Sequence, residues 1–107
     1  MNHSWENLAL HFVFLGSEYK IKIGDRNHYI DLLLFNIKYN CYVVIELKVT
    51  EFKVEYVSQV QKYMNYIDKN IKEASNNSTI GILLYSLLFI LAFNCLCVKL
   101  LLFDIFI

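Results

Sequence analysis

The sequence predicts an α/β domain with the element order β-β-β-α-β. Three observations predict this fold class. Short stretches rich in apolar, strand-forming residues fill the first half, and turn-forming residues separate them. A later segment has apolar residues every three or four positions, which is the period of a helix. The chain has 107 residues, which suits one small domain.

The composition excludes some classes of protein and suggests a location. Apolar residues make up 57% and charged residues 19%, so a disordered chain is excluded. Lys plus Arg and Asp plus Glu both number 10, so the net charge is zero. This balance argues against a strongly basic protein that binds nucleic acid non-specifically, but not against a local site for cations. Cys41, Cys95 and Cys97 form no disulfide framework, and the N-terminus lacks a signal-peptide pattern. We therefore expect a cytoplasmic location.

Three strands are predicted in the first half of the chain. The stretch "FVFLGSEYKIKIG" contains the first, because Tyr19, Ile21 and Ile23 alternate with lysines. The turns "GDRN" and "NIKYN" precede the second strand, "HYIDLLLF", and the third, "CYVVIELKV". Short turns predict antiparallel neighbours. A short helix with Ser4 as its N-cap could precede these strands.

One helix and a fourth strand follow. The helix is predicted in "TEFKVEYVSQVQKYMNYIDKNIKEA", whose apolar positions recur at spacings of three and four: Val57, Val60, Met64, Ile67 and Ile71. The polar stretch "SNNST" ends it, and "IGILLY" is the predicted fourth strand.

The chain changes character near its end. Residues 81–107 contain only two charged side chains, Lys99 and Asp104, and are long enough for a membrane-spanning helix. Two alternatives stand beside a membrane span: a buried strand followed by a core helix or strand, and a tail produced by a frameshift. We predict a domain core at 1–84 and an apolar tail at 85–107, which a second copy or a partner chain could cover.

Three charged residues lie inside the apolar strands. If the second and third strands pair antiparallel, Asp31 and Glu46 can fall close together on one face, and Lys48 points the same way as Glu46. Two adjacent carboxylates repel, and a Mg²⁺ or Mn²⁺ ion would relieve that repulsion. An ammonium beside them can stabilise charge that develops on a phosphate. The alternative is that these residues are solvent-facing positions of an edge strand.

The predicted helix adds two further candidate residues. Gln59 and Tyr63 are four residues apart and so lie on one helical face. A glutamine there could hydrogen-bond a water or a phosphate, and a tyrosine could stack on or bond to nucleic acid. The alternative is a polar surface with a half-buried tyrosine. Tyr56, Tyr63 and Tyr66 are expected to pack the helix on the sheet rather than bind bases.

These motifs together resemble the PD-(D/E)xK nuclease superfamily, and within it the YhcG-type nuclease domain of the PDDEXK_3 grouping. The similar stretches are "YIDLLLF", "CYVVIELKV", "FKVEYVSQVQKYMNYID" and "STIGILL". Asp31 stands where the motif has its Asp, and the segment from Glu46 to Lys48 matches its (D/E)-x-K. Gln59 and Tyr63 match the QxxxY helix signature of RecB-like members.

The resemblance, which covers roughly residues 12–84, implies a fold and an activity. The implied fold is a restriction-endonuclease-like α/β core with a mixed sheet. The implied activity is Mg²⁺- or Mn²⁺-dependent hydrolysis of phosphodiester bonds, in DNA rather than RNA. Asp31, Glu46 and the backbone carbonyl of Leu47 would hold the metal, and Lys48 would activate or stabilise the nucleophile.

The sequence also departs from the family pattern. Family members carry a longer helical region before the first strand, with an acidic residue for the site, and only Glu6 and Glu18 are candidates here. Beyond residue 84 the family continues with polar sequence and another strand, whereas this chain is apolar. Two alternatives to an active nuclease therefore stand: an inactive remnant that retains nucleic-acid binding, and a small protein attached to a membrane through residues 81–107.

Overall fold

The computed structural model describes residues 11–85, and the predicted order β-β-β-α-β is confirmed there. The elements are β1 (Phe12–Ile23), β2 (Arg26–Asn36), β3 (Cys41–Lys48), α1 (Val54–Asn70) and β4 (Asn77–Tyr85). The predicted helix that begins at Ser4 lies outside the described residues, as do residues 86–107 of the apolar tail.

The four strands of the described residues form one sheet in the order β1-β2-β3-β4, and this sheet is mixed, as the resemblance implies. The first three are antiparallel because tight turns join them, with Gly24 (φ 62°) and Asn40 (φ 52°) in the left-handed region. β4 lies parallel to β3, which requires a long crossover, and α1 forms that crossover. Asn40 also accepts a hydrogen bond from Asn77 N at 2.8 Å, which holds the start of β4 beside the β2–β3 turn.

Apolar side chains are buried on both faces of the sheet. The helix-side cluster consists of Ile21, Ile30, Leu33, Val44, Tyr63 and Ile67. The far-side cluster consists of Leu34, Cys41, Val43, Ile45, Ile82 and Leu84. β3 supplies alternate residues to both clusters, so it is an interior strand buried on both faces. This explains its nearly unbroken apolar sequence.

α1 is shorter than the helix that the periodic pattern predicts, and one residue that the pattern predicts to be buried is exposed. The pattern placed Val57 on the buried face, but 48% of this side chain is exposed. The buried positions of α1 are Val60, Tyr63 and Ile67. α1 ends at Asn70, where the N–H groups of residues 71 and 72 both bond to Ile67 O.

β4 begins at Asn77, three residues before the predicted start. Thr79 explains the extension, because its N–H and its hydroxyl both donate to Asp68 Oδ1 of α1, at 3.0 and 2.6 Å. This buried threonine fixes the helix to the strand.

The apolar end of the chain is described only to Tyr85. Residues 81–85 belong to β4, so they do not form the start of a membrane-spanning helix at Gly81. Among residues 11–85, no helix has the length and hydropathy needed to cross a bilayer. The boundary between a core at 1–84 and a tail at 85–107 stays a prediction.

Gly81 sets the distance between α1 and β4. A Cβ atom at this position would lie 2.5 Å from Cγ1 of Val60 and would also overlap Sδ of Met64. We expect Gly81→Ala to lower the free energy of unfolding by about 1–3 kcal/mol, because the helix must shift or its side chains must leave their rotamers. Urea denaturation monitored by circular dichroism measures the change.

The matched control is Ser78→Ala on the same strand, at an exposed position. We expect this control to change the stability by no more than about 0.5 kcal/mol. Equal stability of Gly81→Ala and the wild type would contradict the close packing of α1 on β4.

Candidate active site

Asp31 and Glu46 meet where the regular β2–β3 pairing ends. The last paired residues are Leu32 and Ile45, and the two acids are the next residue along each strand. Asp31 N donates to Glu46 Oε1 at 3.0 Å, and Leu47 N donates to Asp31 Oδ2 at 2.8 Å. Each carboxylate therefore accepts an N–H of the opposite strand, and these reciprocal hydrogen bonds hold the two acids together.

Glu46 faces α1. Alternation along β3 puts Glu46 on the same side as Val44, which belongs to the helix-side cluster. Asp31 is held beside it by the hydrogen bond that Leu47 N donates to Asp31 Oδ2. Glu46 is only 2% exposed, whereas Asp31 is half-buried. The edge-strand alternative is therefore wrong for Glu46, which lies in the interior of the sheet.

The burial of Glu46 changes its acidity. The pKa of Glu46 is raised to about 7, chiefly because burial removes the carboxylate from water, and the negative charge of Asp31 contributes to the rise. The hydrogen bond from Asp31 N and the positive charge of Lys48 oppose the rise. Near neutral pH this carboxyl group is thus divided between its neutral and ionised forms. A cation bound beside it would favour the ionised form.

Lys48 places a positive charge beside the carboxylates. Its Nζ lies 3.9 Å from Glu46 Oε2 and 5.0 Å from the centre of the Tyr56 ring. The Lys48 side chain is 25% exposed, so the ammonium is accessible from solvent although its partner is buried. The ring face of Tyr56 favours a cation in this position.

Gln59 and Tyr63 act as one unit. Gln59 Nε2 donates to Tyr63 Oη at 2.9 Å, which leaves the hydroxyl proton of Tyr63 for another acceptor. Tyr63 is 2% exposed. Burial raises the pKa of Tyr63, and the charges of Glu46 and Asp31 raise it further, so the hydroxyl is within electrostatic reach of both acids.

The structure locates the remaining candidate residues as follows. Leu47 lies between Glu46 and Lys48, and its role as a carbonyl ligand stays a prediction. Glu6 is outside the described residues. Glu18 is exposed on β1, with φ 50°. Within residues 11–85, no group of three or more His, Cys, Asp or Glu side chains converges on a metal site, so Glu18 does not join Asp31 and Glu46.

Two residues near the site were not found from the sequence. Tyr56 is predicted only to pack the helix on the sheet, but its ring also contacts the Lys48 ammonium. Tyr56 and Tyr63 are seven residues apart, and this spacing indicates that they share a helical face. His28 makes an edge contact with the Tyr63 ring, with 6.0 Å between ring centres. No spacing rule indicated His28. Ile30 and Leu33 both lie in the helix-side cluster although they are three residues apart, so strand alternation is interrupted between them.

Comparisons with known proteins agree with this arrangement. The model of the family described as the YhcG PDDEXK nuclease domain matches residues 2–87. The chain is also 30% identical, over 73 residues, to the protein named "Putative nuclease YhcG" of Escherichia coli (strain K12). That alignment covers 68% of this chain and 20% of the relative, so the chain spans about a fifth of the relative's length. No solved structure matches the chain.

The fold agrees with the family match as well. A mixed four-stranded sheet with one helix is consistent with a restriction-endonuclease-like PDDEXK fold, which confirms the predicted fold class. The resemblance inferred from the sequence motifs is confirmed by the match over most of the chain. The chain belongs to the YhcG PDDEXK nuclease domain family.

Proposed function

We propose that this domain hydrolyses phosphodiester bonds in DNA with the aid of Mg²⁺ or Mn²⁺. The observation that carries the proposal is the reciprocal bonding of Asp31 and Glu46 across β2 and β3, with the Lys48 ammonium 3.9 Å from Glu46. A buried carboxylate beside a half-buried one, with a partly exposed cation next to them, is costly for a purely structural site. The chain belongs to a nuclease domain family, which supports a catalytic role for these charged residues.

The donor set fits a hard divalent metal. Asp31 and Glu46 each use one oxygen in a backbone hydrogen bond, so the second oxygen of each carboxylate remains for a metal. Two carboxylates, with the backbone carbonyl of Leu47, would hold Mg²⁺ or Mn²⁺, since Mg²⁺ is commonly bound by one or two carboxylates together with substrate phosphates. When bound, the metal would supply Lewis-acid stabilisation of the phosphoryl oxygens.

Lys48, Gln59 and Tyr63 would act on the substrate and the nucleophile. The Lys48 ammonium would stabilise negative charge on the phosphate in the transition state and ease the deprotonation of an attacking water. Tyr63 has a hydroxyl proton to donate, because Gln59 already donates to its oxygen. We assign this pair to the orientation of a water or a phosphate oxygen.

The proposal also covers the setting of the domain. We place it in the cytoplasm, because Cys41, Cys95 and Cys97 lack the spacing of a disulfide framework. For the apolar residues beyond Tyr85, cover by a second copy or a partner chain is preferred to insertion in a membrane.

Removal of the charge of Asp31 or of Lys48 should strongly slow the cleavage of DNA. We expect Asp31→Asn and Lys48→Gln each to slow hydrolysis of a labelled DNA duplex in Mg²⁺ by about a hundredfold or more, because each removes a charge at the reacting phosphate. Asparagine retains an acceptor for Leu47 N, so the fold should be kept. Gel-based cleavage rates and circular dichroism spectra provide the measurements.

The controls for that experiment are Asp25→Asn and Lys38→Gln, which make the same charge changes at exposed turn positions. Both should cleave DNA at the wild-type rate. If a folded wild type shows no metal-dependent cleavage while it binds DNA, the domain is an inactive remnant instead. Parallel assays with an RNA duplex decide between the two nucleic acids.

The raised pKa of Glu46 predicts opposite pH dependences without and with metal. From about pH 4.5 to pH 7 the unfolded chain loses a proton that folded Glu46 retains, so the stability of the metal-free protein should fall as the pH rises. Metal binds the ionised form, so excess Mg²⁺ should raise the Tm more at about pH 8 than at about pH 6. Thermal unfolding across this pH range measures both effects.

Glu46→Gln is the reference for these measurements, because it cannot ionise. Its stability should change less over the same pH interval, and Mg²⁺ should raise its Tm less at every pH. A wild-type Tm that Mg²⁺ leaves unchanged at all pH values would argue against a metal between Asp31 and Glu46.

A further inference from the structure

An open groove with exposed lysines runs along α1. It has a volume of about 770 Å³, and the end of β1 at residues 22–24 forms one wall. The helix forms the other wall, where Ser58, Lys62, Asn65 and Lys69 follow one another at spacings of four, three and four. This spacing puts the four side chains in one stripe along the helix.

The chemistry of the groove suits an extended anion. Lys22, Lys62 and Lys69 line the groove and are exposed, and no carboxylate lines it. Among residues 11–85 the one ion pair is that of Lys48 with Glu46, so none of these three lysines is neutralised there. Small-molecule sites bury most of their ligand, whereas this groove is open, and its apolar lining, to which Val57 and Tyr66 contribute, is bordered by lysine and amide side chains.

The groove continues toward the candidate active site. A neighbouring depression shares Ser58 and Lys62 with it, and is also lined by Tyr56 and Gln59. The Tyr56 ring lies under the ammonium of Lys48. Gln59 donates a hydrogen bond to Tyr63, whose pKa is raised by the charges of Glu46 and Asp31. Glu55 is the single carboxylate in the lining of this second depression. A chain of phosphates could therefore pass from the groove to the catalytic groups along one face of α1.

The spacing of two of these lysines allows both to contact one nucleic-acid strand. Lys62 and Lys69 are seven residues, or two turns, apart, which is about 10 Å along the helix axis. Lysine side chains are long and flexible, so the two ammonium groups can reach separate phosphates of one strand.

We propose that this groove binds the sugar–phosphate backbone of the DNA that flanks the cleaved bond, with Lys62 and Lys69 contacting its phosphates. The proposal rests on the proposed nuclease function and names where the substrate lies. Such contacts position the strand without reading its sequence.

The test compares two double variants with equal loss of charge. Lys62→Gln/Lys69→Gln changes the groove, and Lys20→Gln/Lys38→Gln changes two exposed lysines that line neither depression. Binding of a fluorescein-labelled DNA duplex is measured by anisotropy in EDTA over a range of salt concentrations, and KM for cleavage is measured in Mg²⁺. Glutamine keeps the side-chain length and a good helix propensity, so folding should be preserved.

We expect the groove variant to bind DNA on the order of tenfold more weakly at low salt, with KM raised by a similar factor. Its plot of log Kd against log salt should lose about 1.8 from its slope, since each phosphate contact contributes about 0.9. The control variant should match the wild type in both measurements.

The outcomes separate the two proposals. If the groove variant binds and cleaves DNA as the wild type does, the groove is not the DNA site, and the nuclease function stands. If both double variants weaken binding equally, the interaction is a general charge effect and the groove proposal fails. If the wild type neither binds nor cleaves DNA, the proposed function fails and this inference fails with it.

Discussion

The exchange of hydrogen bonds between Asp31 and Glu46 is the interaction on which the candidate site depends. Asp31 accepts the N–H of Leu47, and Glu46 accepts the N–H of Asp31, at the point where the β2–β3 ladder ends. A sheet that stops pairing in its interior would leave buried N–H groups without acceptors. The carboxylates provide those acceptors, so the same contacts complete the sheet and bring two negative charges together.

The second requirement is the position of α1. Gly81 lets the helix approach β4 closely, and Thr79 fixes it there through its two hydrogen bonds to Asp68. Tyr63 lies on the same helix and belongs to the helix-side cluster, so the contacts of Gly81 and Thr79 also affect where Tyr63 lies on the sheet.

The distribution of charge follows from the same architecture. The chain has no net charge, yet Glu46 is buried on β3 and Asp31 is half-buried on β2, while Lys62 and Lys69 of α1 are exposed. These lysines line the groove along α1, whereas neither acid lines it. Since the lysines repel cations and the acids attract them, the separation also keeps the place for a metal distinct from the place for phosphates.

The amino-acid sequence was enough to predict the order of the elements, because local periodicity depends on near neighbours along the chain. Motif spacing identified the candidates Asp31, Glu46, Lys48, Gln59 and Tyr63, and the family resemblance implied the mixed sheet. The packing of the elements added what spacing cannot express. It buried Glu46 and so raised its pKa, exposed Val57 on a helix face predicted to be buried, and brought His28 to Tyr63 where strand alternation is interrupted. These outcomes depend on which elements pack together and in what register, and contacts between distant parts of the chain fix both.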